Sequence, residues 1–190
     1  ITFTIGRGND IVCMAAAEFA NRLIGRDVDE MAADMGSCYL SLCADSQMRW
    51  LGPEKGVVHL ALSAVMNAAW DMAGRLAGTP VWRLLAEMTP EQLVDVADLR
   101  YLGDVLTRER ALEILRKAEP GKRERIADLE AGGYPAYTTA AGWLGYSDAK
   151  MLRIISEQEE LGFTAVKLKV GANLDDDIRR CRKAREAIGP

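Results

Sequence analysis

Histidine is nearly absent from this sequence, and its few cysteines follow no metal-binding pattern. His59 is the only histidine among 190 residues, and the four cysteines form no CxxC pair. A histidine without a second one nearby is more typical of a packed position than of a metal ligand. The cysteine spacing indicates neither a zinc site nor a disulfide framework. We therefore expect reduced thiols in a cytoplasmic protein.

The chain also lacks a strong excess of either charge. It carries 24 basic and 28 acidic residues, which gives a formal net charge of −4. Such a balance creates no field that would attract a phosphate backbone or an anionic lipid surface. We therefore expect neither nucleic acid nor a membrane as a partner. No basic segment followed by an apolar run opens the sequence, although Ile1 is not an initiator methionine.

One apolar stretch, from Gly56 to Ala77, is long enough to raise the question of a membrane span. Its polar residues recur every four positions, which predicts a helix that is buried over most of its circumference. Ionisable side chains would be costly inside a bilayer, so packing within a protein is favoured over a membrane span. The polar positions are His59, Ser63, Asn67, Asp71 and Arg75.

Helix signals dominate the first 132 residues. Only Ile1–Ile5 alternates as a half-buried strand does, and Gly6-Arg7-Gly8 then predicts a turn. We predict helices from Asn9 or Asp10 to about Ile24, from Val28 to Leu42, after a Thr89 cap with Pro90 at the first position, and in two charged pieces between residues 103 and 131.

Beyond Gly132-Gly133 the pattern changes to strand and helix in alternation. We predict a strand at 134–140, a helix that Ser147 caps and that runs to Glu160, a strand at 163–170 and a helix at 174–188. Two consecutive βα units predict a parallel sheet with helices on its outer face.

The second of these predicted strands carries two lysines on one side. The strand period places Lys167 and Lys169 together, opposite Val166, Leu168 and Val170. On an isolated edge strand both lysines would simply be solvated. Parallel strands are usually covered on both faces, however, so here the lysines are expected to point into a polar cavity.

This lysine pair suits one kind of chemistry. Side chains at i and i+2 lie about 7 Å apart along one face, so each ammonium disfavours the charge of the other. One lysine can then act as a neutral base, while the other remains a cation that holds an anionic substrate. This arrangement fits removal of a proton next to a carboxylate, where the enolate that forms needs cations around it.

The acidic run Asn173-Leu174-Asp175-Asp176-Asp177 raises the alternative of a calcium loop. It lacks the alternating ligands and the closing glutamate of that motif. A helix cap followed by first-turn acids explains it better, so we place no metal there.

Four stretches together carry a resemblance to a known family. They are RWLGPEKGVVH at 49–59, GYPAYTT at 133–139, GWLGYSD at 142–148 and KLKVGA at 167–172. Along essentially its whole length the sequence resembles the L-fuconate dehydratase family, in the mandelate racemase-like subgroup of the enolase superfamily. The two lysines mark only the wider superfamily. The Trp-Leu-Gly-Tyr-Ser-Asp and Leu-Gly-Pro-Glu-Lys-Gly stretches narrow the resemblance to this family.

The resemblance implies a fold and an activity. It implies an α+β capping domain over residues 1–132, followed over 133–190 by the first two βα units of a modified TIM barrel (α/β). It also implies Mg²⁺-dependent dehydration of a small-molecule sugar acid, with L-fuconate first, to a 2-keto-3-deoxy acid. Lys169 would be the base that takes the α-proton, and Lys167 would bind the substrate carboxylate. The full-length protein would be a homo-oligomer.

The sequence departs from this family in length. A complete barrel takes about 200 to 250 residues, far more than follow Gly132. The family's acidic metal ligands and its His/Asp acid pair are expected beyond Pro190, and a loop that closes over the substrate is expected before Ile1. We therefore expect this chain to be inactive by itself. Another acid-sugar dehydratase or racemase of the superfamily, or a non-catalytic homologue, remains an alternative.

Overall fold

The computed structural model describes residues 7–189, so the strand predicted at Ile1–Ile5 lies outside the described residues. The chain divides after Asp128 into two compact units, which are described separately. A 3₁₀ turn at Met48–Leu51 and a π-type turn at Glu54–Val58 lie in the first unit. Between residues 7 and 189 the chain forms ten α-helices: α1 (Asn9–Asn21), α2 (Val28–Ala33), α3 (Met35–Cys43), α4 (His59–Leu76), α5 (Val81–Glu87), α6 (Pro90–Val96), α7 (Arg108–Ala118), α8 (Lys122–Gly132), α9 (Asp148–Glu160) and α10 (Leu174–Ile188).

The core of the first unit forms where α4 packs against α1 and α3. Phe19 of α1, Cys38 of α3 and Leu62 of α4 are fully buried in it. The predicted apolar helix is present but begins at His59, because Gly56 leaves the helical conformation at φ −102° and ψ −127°. In the described part of the chain, no helix is both long enough and apolar enough to cross a membrane.

The single helix predicted from Val28 to Leu42 is wrong, since α2 ends before Asp34 and α3 starts after it. The Asp34 side chain accepts a 3.0 Å hydrogen bond from the amide of Ser37 and so caps α3. A short carboxylate that binds a nearby amide competes with helix continuation. The backbone of Asp34 accordingly leaves the helical conformation, at φ −139° and ψ 65°.

Two other helix starts follow the predicted chemistry. Thr89 and Gln92 form a capping box at α6, in which each side chain binds the backbone amide of the other residue. Ser147 accepts from the amide of Lys150 at the start of α9. Side-chain caps of this type satisfy amides that have no partner within the helix.

The second unit is built from α9, α10 and two extended segments. Its buried core is small and consists of Ala141, Met151, Ile155 and Ala184. Such a core leaves the unit dependent on a few apolar contacts.

The two strands predicted in this unit shorten to one parallel bridge, between Thr138 and Val166. The Thr138 amide donates to the Ala165 carbonyl at 3.0 Å, and the Lys167 amide donates to the Thr138 carbonyl at 2.9 Å. No longer strand forms within residues 7–189. Two paired segments without further neighbours make only a marginal sheet, which explains the difference from the prediction.

Candidate functional site

Lys167 and Lys169 lie just after the parallel bridge, with both side chains exposed. Val166, just before Lys167, and Leu168, between the two lysines, pack against the buried core of this unit. The predicted alternation is therefore present, and the two ammonium groups lie on the side away from this core. Val170 does not follow this alternation, since the residue is 57% exposed. The covered polar cavity expected around the lysines is absent from the described part of the second unit, where both are solvent-exposed.

Each lysine has an aromatic neighbour. The Lys167 Nζ lies 5.4 Å from the ring centroid of Tyr137, and the Lys169 Nζ lies 5.5 Å from that of Trp143. Both distances fall within the range of cation–π attraction. The two rings are themselves about half exposed. The lysine-bearing side of this unit thus combines two cations with two aromatic faces, a combination suited to a small anionic ligand that also has apolar surface.

A glycine brings the loop before α9 directly against the lysine segment. The Lys169 amide donates a 2.8 Å hydrogen bond to the Gly142 carbonyl. A side-chain carbon added to Gly142 would lie 2.0 Å from the Lys167 carbonyl oxygen and 3.0 Å from the Leu168 Cα. No residue other than glycine fits there without displacing the backbone. The positions of both lysines therefore depend on Gly142.

The buried side of α10 supports the same segment. Arg180 is only 2% exposed, and its guanidinium donates to the carbonyls of Lys169 at 2.9 Å, Trp143 at 3.0 Å and Gly142 at 3.4 Å. Asp177, one turn earlier, accepts a 2.7 Å hydrogen bond from the Gly171 amide. Hydrogen bonds to charged groups are stronger than those between neutral groups. These two side chains therefore hold the end of the lysine segment.

Neither role is evident from sequence reasoning alone. Asp177 is a first-turn acid of α10, as the sequence predicts, but it is also buried, and the sequence predicts no role for Arg180. One sequence signal was available, because Asp177, Arg180 and Ala184 repeat at helical spacing and share the buried stripe of α10. Polar side chains on such a stripe indicate a specific partner inside the protein.

Charged pairs at the start of α9 and α10 explain most of the acidic run. Asn173 caps α10 by accepting from the Asp176 amide at 3.0 Å. Asp176 also pairs with Arg179, which contacts Asp148 at the start of α9. The Arg179 guanidinium and the Lys183 ammonium hold the pKa of Asp148 well below its usual range. These acids thus bind cationic side chains and helix amides.

A magnesium ion does not fit the residues described here. Among residues 7–189, no group of three or more His, Cys, Asp or Glu side chains is arranged to bind a metal. Magnesium binds through oxygen ligands, mainly carboxylates and water. Asp148, Asp176 and Asp177 are instead engaged in the contacts described above.

Comparisons with known proteins find relatives along the whole of this chain. It is 50% identical over 190 residues to mitochondrial enolase superfamily member 1 of Bos taurus, covering 100% of this chain and 43% of the relative. It is 49% identical to the L-galactonate dehydratase of Hypocrea jecorina, covering 100% of this chain and 42% of that protein. No family model matches the sequence.

A solved structure agrees with these sequence relatives. The crystal structure of human mitochondrial enolase superfamily member 1 superimposes with a TM-score of 0.86 at 48% identity, over 100% of this chain and 43% of that one. Homologues of the chain therefore include mitochondrial enolase superfamily member 1 and an L-galactonate dehydratase. The chain spans less than half the length of these relatives.

Proposed function

We propose that this chain is part of a magnesium-dependent sugar-acid dehydratase, in which residues 1–132 belong to an α+β capping domain and 133–190 begin a (β/α) barrel. The observation that carries the proposal is the placement of Lys167 and Lys169 on one exposed side of a segment that pairs in parallel with the preceding one. Similarity to a protein named as a dehydratase supports it.

In this proposal the two lysines divide the work on one substrate. Lys167 remains a cation and binds the carboxylate, which brings the neighbouring carbon toward Lys169. Lys169 is nearer the carboxyl end of the segment, the end at which barrel enzymes carry their active sites, so it is the base that takes the α-proton. Lys167, which is still a cation, then stabilises the negative charge that develops on the carboxylate.

Removal of the α-proton is the first half of the overall reaction. The electron pair of the broken C–H bond forms an enolate with the carboxylate, and the β-hydroxyl then leaves with a proton as water. The enol that results becomes a 2-keto-3-deoxy acid. In the family that the sequence resembles, a His/Asp pair supplies the acid that protonates the leaving hydroxyl.

The leading substrate in this proposal is L-fuconate, and L-galactonate is its closest competitor. L-fuconate is 6-deoxy-L-galactonate, so the two acids are identical at the carbons that react and differ in one distant hydroxyl group. A protein that accepts one of these acids can reject the other only through that hydroxyl. Similarity to an L-galactonate dehydratase therefore supports the stereochemical class of the substrate.

The test uses the full-length protein that contains this chain, with Mg²⁺ and each of the two acids. We expect a 2-keto-3-deoxy acid to form from at least one of them and the α-proton to exchange with solvent. Exchange with inversion at the α-carbon and no loss of water would indicate a racemase. Neither exchange nor product with a wider panel of sugar acids would indicate a non-catalytic homologue, and the proposal would be wrong.

A further inference from the structure

Arg180 is a buried cation with no carboxylate partner among the described residues. Its side chain is 2% exposed, and it donates only to backbone carbonyls, those of Lys169, Gly142 and Trp143. Its Nε has no hydrogen-bond partner within residues 7–189. A buried charge is costly unless its hydrogen bonds compensate for lost water. An apolar side chain would pack α10 against the core at lower cost, so the arginine calls for another explanation.

The three carbonyls that Arg180 binds surround Lys169. One belongs to Lys169 itself. The Gly142 carbonyl also accepts the hydrogen bond from the Lys169 amide, so Arg180 and Lys169 share this acceptor. The third belongs to Trp143, whose ring lies beside the Lys169 ammonium. Arg180 therefore binds the carbonyl of Lys169 directly and contacts its amide through the shared Gly142 acceptor. It also binds Trp143, whose ring flanks the Lys169 side chain.

We infer that Arg180 is a positioning residue for Lys169, which rests on the proposed function of Lys169 as the base. The planar guanidinium presents several donors in a fixed arrangement and can bind three carbonyls at once. A lysine at this position would keep the charge but lose that geometry. Displacement of a catalytic group by about 1 Å can cost a rate factor of about 100, so such a link matters for turnover.

The inference separates the effect on turnover from the effect on substrate binding. Lys167, proposed to hold the carboxylate, is not a partner of Arg180. Its amide is bound instead by the Thr138 carbonyl at 2.9 Å. Loss of Arg180 should therefore lower kcat much more than it raises KM.

The experiment compares Arg180→Lys and Arg180→Met with Arg182→Met in the full-length protein. Arg182 is an exposed arginine on the same helix, so it serves as the matched control. We would follow exchange of the α-proton by NMR with whichever of the two sugar acids the parent protein accepts. We would measure kcat, KM and the pH midpoint of exchange, after verifying the folded fraction of each variant by circular dichroism.

For Arg180→Lys we expect kcat to fall about tenfold or more, with KM changed less than about threefold, and Arg180→Met to lose more. The pH midpoint should also shift, because a displaced Lys169 changes its distance from Lys167. Arg182→Met should match the parent. A loss of folded protein would lower the amplitude of exchange without moving its midpoint.

The inference is wrong if Arg180→Lys keeps the parental kcat and midpoint, if its rate falls only in proportion to the folded fraction, or if both Arg180 variants fail to fold. A separate Lys169→Ala variant tests the proposed function itself. Parental exchange in Lys169→Ala would remove Lys169 as the base. If Lys169→Ala loses exchange while Arg180→Lys keeps the parental kcat and midpoint, only the positioning role of Arg180 is refuted.

Discussion

The amide of Lys169 donates a 2.8 Å hydrogen bond to the carbonyl oxygen of Gly142, which joins the proposed base to the loop before α9. The close approach is possible because Gly142 has no side chain. An added carbon would lie 2.0 Å from the Lys167 carbonyl oxygen. The position of the lysine segment is therefore set by a glycine outside it, and this relationship can be tested directly.

Gly142→Ala should push the lysine segment away and break the bond from the Lys169 amide. Overpacking of this kind costs about 1 to 3 kcal/mol. We expect faster hydrogen exchange of the peptide that spans residues 163–170, measured by mass spectrometry on the full-length protein. The control is Gly132→Ala, where an added carbon meets nothing within 4 Å. Equal protection of this peptide in the parent and Gly142→Ala would show that the backbone adjusts without cost.

Local side-chain chemistry accounts for what could be predicted from the sequence. Thr89, Ser147 and Asn173 each cap the helix that was predicted to follow them. A cap depends on residues three positions apart, so it can be identified without knowledge of the fold. The alternation of Lys167 and Lys169 with their apolar neighbours is local in the same way.

The features that were missed depend on contacts between distant residues. The helix break at Asp34 accompanies a close approach of α3 to α6, where a carbon added to Gly36 would lie 1.9 Å from the Asp95 carbonyl oxygen. The role of Arg180 likewise depends on carbonyls 11 to 38 residues away in sequence. The helical spacing of Asp177, Arg180 and Ala184 indicates a buried stripe on α10, but it does not identify the carbonyls that Arg180 binds.

Acid should weaken a charged cluster in the first unit. The Tyr101 hydroxyl, together with the Arg100 guanidinium, holds the pKa of Glu54 below its usual range, and Arg100 does the same for Asp98. A lowered folded-state pKa stabilises the protein above the unfolded pKa, and this contribution is lost as pH falls through the folded value. We therefore expect stability to decline below about pH 4, the ordinary range of these carboxyls.

Replacement of Arg100 by Met isolates this contribution. The Arg100 side chain is 38% exposed, so solvent screens its ion pairs and the loss near neutral pH should be about 1 kcal/mol or less. The difference from the parent should shrink between neutral pH and pH 3, because protonation of these carboxyls in the unfolded chain begins to remove the stabilisation that their lowered folded-state pKa provides. Chemical denaturation at both pH values measures it. A difference that stays constant with pH would mean that Arg100 contributes through packing alone.

The 190-residue chain alone should not dehydrate L-fuconate or L-galactonate. Among residues 7–189, no three or more His, Cys, Asp or Glu side chains are grouped to bind a metal ion, and the proposed reaction requires magnesium. The measurement is formation of a 2-keto-3-deoxy acid with saturating Mg²⁺, with the full-length protein as the positive control. Mg²⁺-dependent product formation by the isolated chain would mean that the reaction needs less of the protein than we propose.

The two lysines should respond differently to substitution in the full-length protein, because they carry different roles. Lys169→Ala removes the proposed base, so exchange of the substrate α-proton with solvent deuterium should be abolished. Lys167→Arg keeps a cation beside Tyr137 and should mainly raise KM, although the larger planar group also lowers the rate if it misaligns the carboxylate. The measurement is α-proton exchange by NMR with metal and substrate saturating. Because both side chains lie on one side of the same segment, the opposite assignment is geometrically available. Parental exchange in Lys169→Ala, with loss of exchange in Lys167→Arg, would establish Lys167 as the base and reverse the two roles.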